Sequence, residues 1–299
     1  MSNSFGRNFQ PFLDYLKFEK RFSQHTIVAY ENDLTAFWDF IIMQYGELKP
    51  SEVSHLYIRT WLASLKDAGM TAKSINRKIS TLKSYFKFNM KVGEVEQSPM
   101  VKIIAPKSEK RLPQFVADKD IDALFKHVEF PDTWQGKTEY LLLSIFYHTG
   151  VRLSELINLK ETNISFYNQT LRVLGKGNKE RVLPISSNLL SLIEAYCKER
   201  KNLDTILTDN LLVTDKGKPL AARQVYTIVK NYLSLVTTID KRSPHVLRHT
   251  FATHLVNNGA DLNAVKEMLG HSSLAATQVY THNTIEKLKN IHQKAHPKA

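Results

Sequence analysis

The chain has a single cysteine, Cys197, among 299 residues. That excludes an internal disulfide framework and any cysteine-rich zinc site. Nothing around Cys197 in the sequence would activate a thiol, so it reads as a helix-packing residue. There is no apolar run of about 18 residues, the length a membrane-spanning helix needs. The first residues also lack the basic, apolar and small-residue succession of a signal peptide. The expectation is a soluble, cytoplasmic protein with no membrane partner. Acidic residues are in short supply, 29 against 41 lysines and arginines, for a formal net charge of +12. Such a balance favours an anionic polymer as partner, although charge alone does not separate nucleic acid from an anionic membrane.

What is present is ordinary globular material, 42% hydrophobic and 23% charged, enough for one large domain or two ordinary ones. Residues 9–91 carry apolar stripes at steps of three and four, and four helices are expected there. Phe9, Phe12, Leu13 and Leu16 mark the first; Ile27, Tyr30, Leu34, Phe37 and Ile41 the second. Ile58, Trp61 or Leu62, and Leu65 mark a third that ends at Gly69, and Ile75, Ile79, Leu82 and Phe86 a fourth that Thr71 starts. The span 66–91 holds Lys66, Lys73, Arg77, Lys78, Lys83, Lys87 and Lys91 against Asp67 alone. A solvated helix face and a polyanion contact are both open readings of that run. Pro99, Pro106 and Pro113, with Lys107, Lys110 and Arg111 among them, read as an interdomain linker. We therefore divide the chain into 1–107 and 108–299.

The second domain begins with a helix after Asp118 and continues with a strongly apolar one, Tyr140 to Tyr147, that stops at Gly150. Arg152 follows that stop and precedes Ser154, a candidate cap for a short helix; a structural pairing with Glu155 is the competing account of this arginine. Three extended runs come next, Asn163–Phe166, Leu171–Leu174 and Arg181–Ile185, separated by turn residues. Lys176 sits at the tip of the second, glycine-flanked hairpin, either a solvated turn residue or one that reaches into a site. Its Gly-Lys-Gly setting lacks the spacing of a nucleotide-binding loop. Helices around Leu189–Glu199 and Arg223–Leu235 lead into the most informative stretch.

That stretch is residues 243–282. Ser243 and Pro244 suit the start of a helix that stops at Gly259, with His245 and Arg248 three apart on one face. Asp261 caps a second helix bearing Leu262, Val265 and Leu269, closed by Gly270, with His271 next in sequence. Ser272 or Ser273 would cap a third carrying Tyr280. Arginine with two histidines is a set suited to holding a phosphate and moving protons around it, and a tyrosine beside it is a candidate nucleophile. Taken singly, each is as well explained as a helix-surface histidine or a core tyrosine. No glutamate lies between His245 and His249 in the metalloprotease arrangement.

His245-x-x-Arg248-His249-x-Phe251-Ala252-Thr253-His254, Leu269-Gly270-His271-Ser272 and Tyr280-Thr281-His282 together resemble the tyrosine recombinase (phage integrase) family, and within it the Xer-type site-specific recombinases. Thr149-Gly150-Val151-Arg152-Leu153-Ser154-Glu155-Leu156 is similar to the family's first arginine motif, and Gly175 to Arg181 to its lysine-bearing hairpin. The resemblance implies a mainly α fold with a small antiparallel β-sheet in the C-terminal domain, an α+β catalytic domain joined to an N-terminal four-helix core-binding (SAM-like) domain as a two-domain clamp on DNA. It implies Tyr280 as nucleophile, forming a 3′-phosphotyrosyl link, with Arg152, Arg248 and His271 on the phosphate, His245 assisting proton transfer and Lys176 as general acid. It implies neither metal nor cofactor. It also turns the basic run into a DNA contact, through Lys73, Arg77, Lys78, Lys83, Lys87, Lys107, Lys110 and Arg111. His249, His254 and His282 match the motifs outside the catalytic set and read as packing or orienting groups.

The implied partners are double-stranded DNA at a short specific site and three further subunits, in a homotetramer or a heterotetramer with a related recombinase. A tail from about residue 284, with Ile285, Leu288 and Ile291 on one stripe, would pass to a neighbouring subunit. The implied role is resolution of chromosome dimers at cell division, which the compact length favours, with a DNA translocase at the division site left open as a partner. Three other readings stand beside it. They are a mobile-element integrase with the same chemistry, a type IB topoisomerase, and an architectural DNA-binding protein whose catalytic set is idle.

Overall fold

The computed structural model describes residues 8–107, 114–175, 179–270 and 295. The chain divides into two compact units, Met1–Arg111 and Leu112–Ala299. Among the described residues no helix is long and apolar enough to cross a membrane.

The first unit is helical: α1 (Gln10–Asp14), running into a single π-helical turn (Tyr15–Glu19), α2 (Gln24–Tyr45), α3 (His55–Asp67) and α4 (Ala72–Lys91). Ser23, Ser54 and Thr71 cap the three longer helices, each side-chain oxygen accepting a first-turn backbone N–H. The apolar stripes meet in one core around Leu34, Phe37, Trp38, Ile41, Ile58, Leu82 and Phe86, with the Phe37 and Trp61 rings 5.1 Å apart edge to face. The π-turn is a departure from the simple stripe. It keeps Leu16 inside, leaves Phe18 exposed and is followed by Arg21 at a positive φ of 51°. Nothing in the spacing of the apolar residues announces it.

Asp33 locks α2 to α4 from inside the core. Its carboxylate accepts from both terminal nitrogens of Arg77 (2.5 and 2.8 Å), from Lys78 Nζ (2.8 Å) and from Thr81 Oγ1 (2.9 Å). Lys78 is itself buried, its ammonium 5.6 Å from the centre of the Trp61 ring. Removing one partner of a buried ion pair leaves the other charge uncompensated, at a cost of about 3–5 kcal/mol. Asp33→Ala should therefore lower the unfolding free energy of the full-length protein by that order, seen as a lower urea midpoint. An unchanged midpoint would show that Lys78 finds solvent without Asp33.

The second unit is built around α6 (Trp134–Thr149), whose Leu141, Leu142, Leu143, Ile145 and Phe146 are all buried. The helix starts well before the apolar run at Tyr140, because the Thr133 hydroxyl caps it by accepting the Gly136 N–H at 3.2 Å. It ends at Gly150, in the left-handed region at φ 59°. A β-carbon there would sit 2.4 Å from Phe251 Cδ1, so glycine is required on both backbone and packing grounds. Preceding α6 is α5 (Asp118–Lys126); following it is the short α7 (Leu153–Ile157). Arg152, and not Ser154, is the N-cap of α7. The Glu155 carboxylate, three residues in, reaches back to accept the Arg152 N–H at 2.7 Å and fixes the start there.

Strands β1 (Ile164–Ser165), β2 (Thr170–Leu174) and β3 (Glu180–Pro184) form an antiparallel sheet in that order, with Leu171 opposite Leu183 and Val173 opposite Arg181. The two-residue period puts Arg181 on the same inward face as Leu183. Then come α8 (Ser187–Arg200), α9 (Ala222–Val236), α10 (Pro244–Asn257) and α11 (Leu262–Leu269). Asp261 caps α11 twice, accepting from the Asn263 and Ala264 N–H groups at 3.0 Å each, and Gly270 closes it at φ 63°. Cys197 is buried on α8, its thiol pushed up to about 11 by burial. Ala295 is buried in the core of this same unit.

Candidate active site

Three arginines from three separate segments converge on the C-terminal end of α11. Arg152, at the start of α7, donates from Nη1 to Glu155 Oε1 (2.8 Å) and from Nη2 to the Gly270 carbonyl (2.9 Å). Arg248, buried on α10, donates to the Gly150 carbonyl at 2.6 Å and to the Leu269 carbonyl. Arg181, buried on β3, donates from Nε to the Met268 carbonyl at 2.8 Å. The last carbonyls of a helix lack internal partners and carry the negative end of its dipole, so cations gather there naturally.

Glu155 is the carboxylate at the centre. Arg181 grips it with both terminal nitrogens at 2.7 Å each, and Arg152 adds its side chain and its backbone N–H. Burial by itself would raise the Glu155 carboxyl; the hydrogen bonds and charge of Arg181, then the hydrogen bonds of Arg152, outweigh it and hold the group at about 2. Burial first, and then the charges of Arg152 and Arg181, bring Arg248 down to about 9, where it is still a cation at neutral pH. Three guanidiniums thus share one carboxylate, and the excess positive charge makes the locus a ready site for an anion. Arg152 is the arginine that reaches solvent, its side chain 32% exposed against 5% for Arg181.

A carboxyl held well below its ordinary 4.5 contributes stability that is fully present above that value and lost as pH falls towards 2. The shift corresponds to about 3 kcal/mol. Wild-type protein should therefore lose more stability than Glu155→Gln between pH 5 and pH 2 in urea titrations. Parallel losses would mean that the carboxylate is not held by its arginines.

His245 and His249 stand one turn apart on α10, their rings 4.5 Å centre to centre and nearly perpendicular. His245 is pushed below its usual range by burial, then by His249, Arg248 and Arg152; His249 is pushed down by burial and Arg248. Both are therefore neutral at pH 7 and can accept a proton. His254 lies elsewhere, fully buried. It bridges Asp118 Oδ1 through Nδ1 at 2.9 Å and the Val116 carbonyl through Nε2 at 2.9 Å, a packing link between the start of this unit and α10.

Of the candidate catalytic residues, the structure brings together Arg152, His245 and Arg248. Lys176, His271 and Tyr280 lie outside the described residues, as do His282, Lys110 and Arg111. On α4, Lys73, Arg77, Lys83 and Lys87 are exposed, as is Lys107 beyond it. Lys78 differs from that surface expectation: it lies between Ile75 and Leu82 on the inner stripe and is paired with Asp33. Sequence reasoning missed Arg181 altogether. The signal that could have found it is its parity with Leu183 on an alternating strand. Among the described residues no cluster of three or more His, Cys, Asp or Glu side chains could hold a metal ion.

Two family models match the chain. That of the phage integrase family covers residues 114–287, and that of the phage integrase N-terminal SAM-like domain covers residues 9–93. The tyrosine recombinase XerC of Staphylococcus aureus (strain MSSA476) is 38% identical over 290 residues, 97% of this chain and 96% of the relative. Among solved structures, the XerH site-specific recombinase bound to palindromic difH substrate, in a post-cleavage complex, has a TM-score of 0.70 at 24% identity, covering 88% of this chain and 78% of the other. The Tn1549 transposon integrase in complex with circular intermediate DNA has a TM-score of 0.71 at 18% identity, covering 93% and 97%. These two structures share its fold.

Proposed function

The chain belongs to the phage integrase family as a Xer-type tyrosine recombinase, an enzyme that breaks and rejoins DNA, and from that premise we propose which residues do the chemistry and to what end. The observation that carries the proposal is the convergence of Arg152 and Arg248 on adjacent carbonyls at the end of α11, with His245 three residues before Arg248 on α10. The substrate is double-stranded DNA at a short specific site. The Tyr280 phenol attacks the scissile phosphorus, its oxygen bonding to phosphorus while the proton passes towards His245. The bond from phosphorus to the 5′-oxygen breaks, and Lys176 supplies the proton that makes a free 5′-hydroxyl. A 3′-phosphotyrosyl link remains.

Arg152, Arg248 and His271 hold the non-bridging oxygens and offset the charge that grows on them in the transition state. Because the covalent link retains the energy of the bond it replaces, a 5′-hydroxyl from a second duplex can reverse the step and rejoin the strands without ATP. The exposed cations of α4, Lys73, Arg77, Lys83 and Lys87, with Lys107, Lys110 and Arg111, supply backbone contacts to the duplex. Lys78 supports that surface from within through Asp33.

The active assembly is a tetramer, of this chain or with a related recombinase. It acts in the cytoplasm to separate chromosome dimers at division, with a DNA translocase as a further partner. The likeness to XerC over nearly the whole chain supports this role above that of a mobile-element integrase. The test is strand exchange between two labelled duplexes carrying the same captured site, with no nucleotide added. Exchanged products are expected; relaxation of supercoils without exchange would assign the chain to topoisomerase chemistry instead.

A further inference from the structure

We infer that Arg181 is a positioning residue for DNA cleavage: its guanidinium fixes Glu155 and the end of α11 so that Arg152 meets the scissile phosphate in one orientation. The inference rests on the reading of Arg152 as a phosphate-binding residue.

All three nitrogens of the Arg181 guanidinium are engaged inside the protein. Nη1 and Nη2 grip the two oxygens of Glu155 at 2.7 Å, and Nε holds the Met268 carbonyl at 2.8 Å. A side chain so buried and so fully occupied cannot itself reach DNA. What it controls is the next layer out. The same Glu155 oxygens accept the Arg152 Nη1 and the Arg152 backbone N–H, and the Gly270 carbonyl two residues beyond Met268 accepts Arg152 Nη2. These two side-chain bonds engage two of the five N–H donors of Arg152 and leave the rest for an incoming phosphate. Arg181 therefore anchors both of the groups that aim Arg152, one on α7 and one at the end of α11.

The approach is close enough to constrain the backbone. A β-carbon on Gly270 would lie 3.1 Å from Arg181 Cδ, and one on Gly175 would lie 3.4 Å from its Nη1. The neighbouring Leu269 carbonyl accepts Arg248, so a shift of this turn would disturb a second phosphate-directed arginine as well. A planar fork is what the geometry demands. Lysine carries the charge but offers a single nitrogen, which cannot span both Glu155 oxygens and the Met268 carbonyl together.

The test compares two DNA substrates in single-turnover cleavage by the full-length protein, both carrying a site recovered as the protein's own covalent adduct. One has the natural phosphodiester at the scissile position and the other a methylphosphonate, which carries no charge for Arg152 to offset. Arg181→Met should slow phosphodiester cleavage by roughly 10–100-fold, the loss seen when a partner that orients a metal ligand is removed, with DNA affinity unchanged. On the methylphosphonate the loss should shrink to a few-fold, as it should for Arg152→Ala. Arg181→Lys should fall between Arg181→Met and wild type, and it carries the same comparison if the methionine variant fails to fold. Equal slowing on both linkages, or none on either, would overturn the inference. A wild-type protein that cleaves neither substrate would instead count against the recombinase reading.

Discussion

Tyr280→Phe should abolish covalent attachment to DNA and leave DNA binding intact. The change removes one oxygen, the atom that would bond to phosphorus, and nothing else. Losing a nucleophile outright costs roughly 10⁵-fold or more in enzymes where it has been replaced, so adduct formation should fall below detection. Duplex affinity should not move, because the duplex contacts proposed above, from the exposed basic residues of α4 and from the arginines around Glu155, are left in place. The measurement pairs a gel-shift titration with denaturing electrophoresis of the same mixtures. Binding that collapses along with the adduct would make Tyr280 a structural residue. Adducts that persist would place the nucleophile elsewhere.

Arg248→Ala carries the second large effect, and it acts on two observables at once. Arg248 is buried and donates to the Gly150 and Leu269 carbonyls, which end α6 and α11. Truncation leaves both carbonyls unpaired in the interior, each at about 1–3 kcal/mol, so the melting temperature should drop. It also removes a cation that burial and two neighbouring arginines have already brought down to about 9, poised to gain from an anion arriving beside it. Loss of one preorganised donor to a developing oxyanion costs about 10²–10³-fold, and cleavage should fall by at least that much. Arg248→Lys separates the two roles: it restores charge without the fork, so stability should recover further than cleavage does. Equal recovery of both would mean that Arg248 contributes by packing alone.

The helices around the site were legible because their ends are written in local chemistry. Asp261 and Gly270 bound α11 as cap and stop, and Pro244 opens α10 at its first position, where Ser243 makes no side-chain cap bond. The converging arginines were only half legible. Arg152 and Arg248 stand in motifs with recognisable neighbours, while Arg181 follows a glycine-rich turn and looks like any surface cation at the start of a strand. Its burial comes from register: opposite Val173 and in line with Leu183, it faces inward, and a carboxylate from α7 meets it there.

Lys78 shows the converse. Within a run of cations it reads as one more surface charge. Its place between Ile75 and Leu82 puts it on the inner face, where Asp33 of α2, 45 residues away in sequence, neutralises it. Both residues were hidden for the same reason, since a buried charge is explained by its partner and the partner is distant in the chain. The cap of α7 misled differently. Ser154 is the better capping residue by type, but Glu155 draws the start back to Arg152 and so aims that arginine at the site.

The most direct test of the account is to mix the full-length protein with sheared DNA from its own genome, quench with detergent and sequence what remains covalently attached. A single enriched site near the replication terminus is expected, joined through a 3′-phosphate to Tyr280 in the recovered peptide. Adducts at the ends of mobile elements, scattered adducts with no preferred sequence, or no adduct from a protein that demonstrably binds DNA would each contradict it.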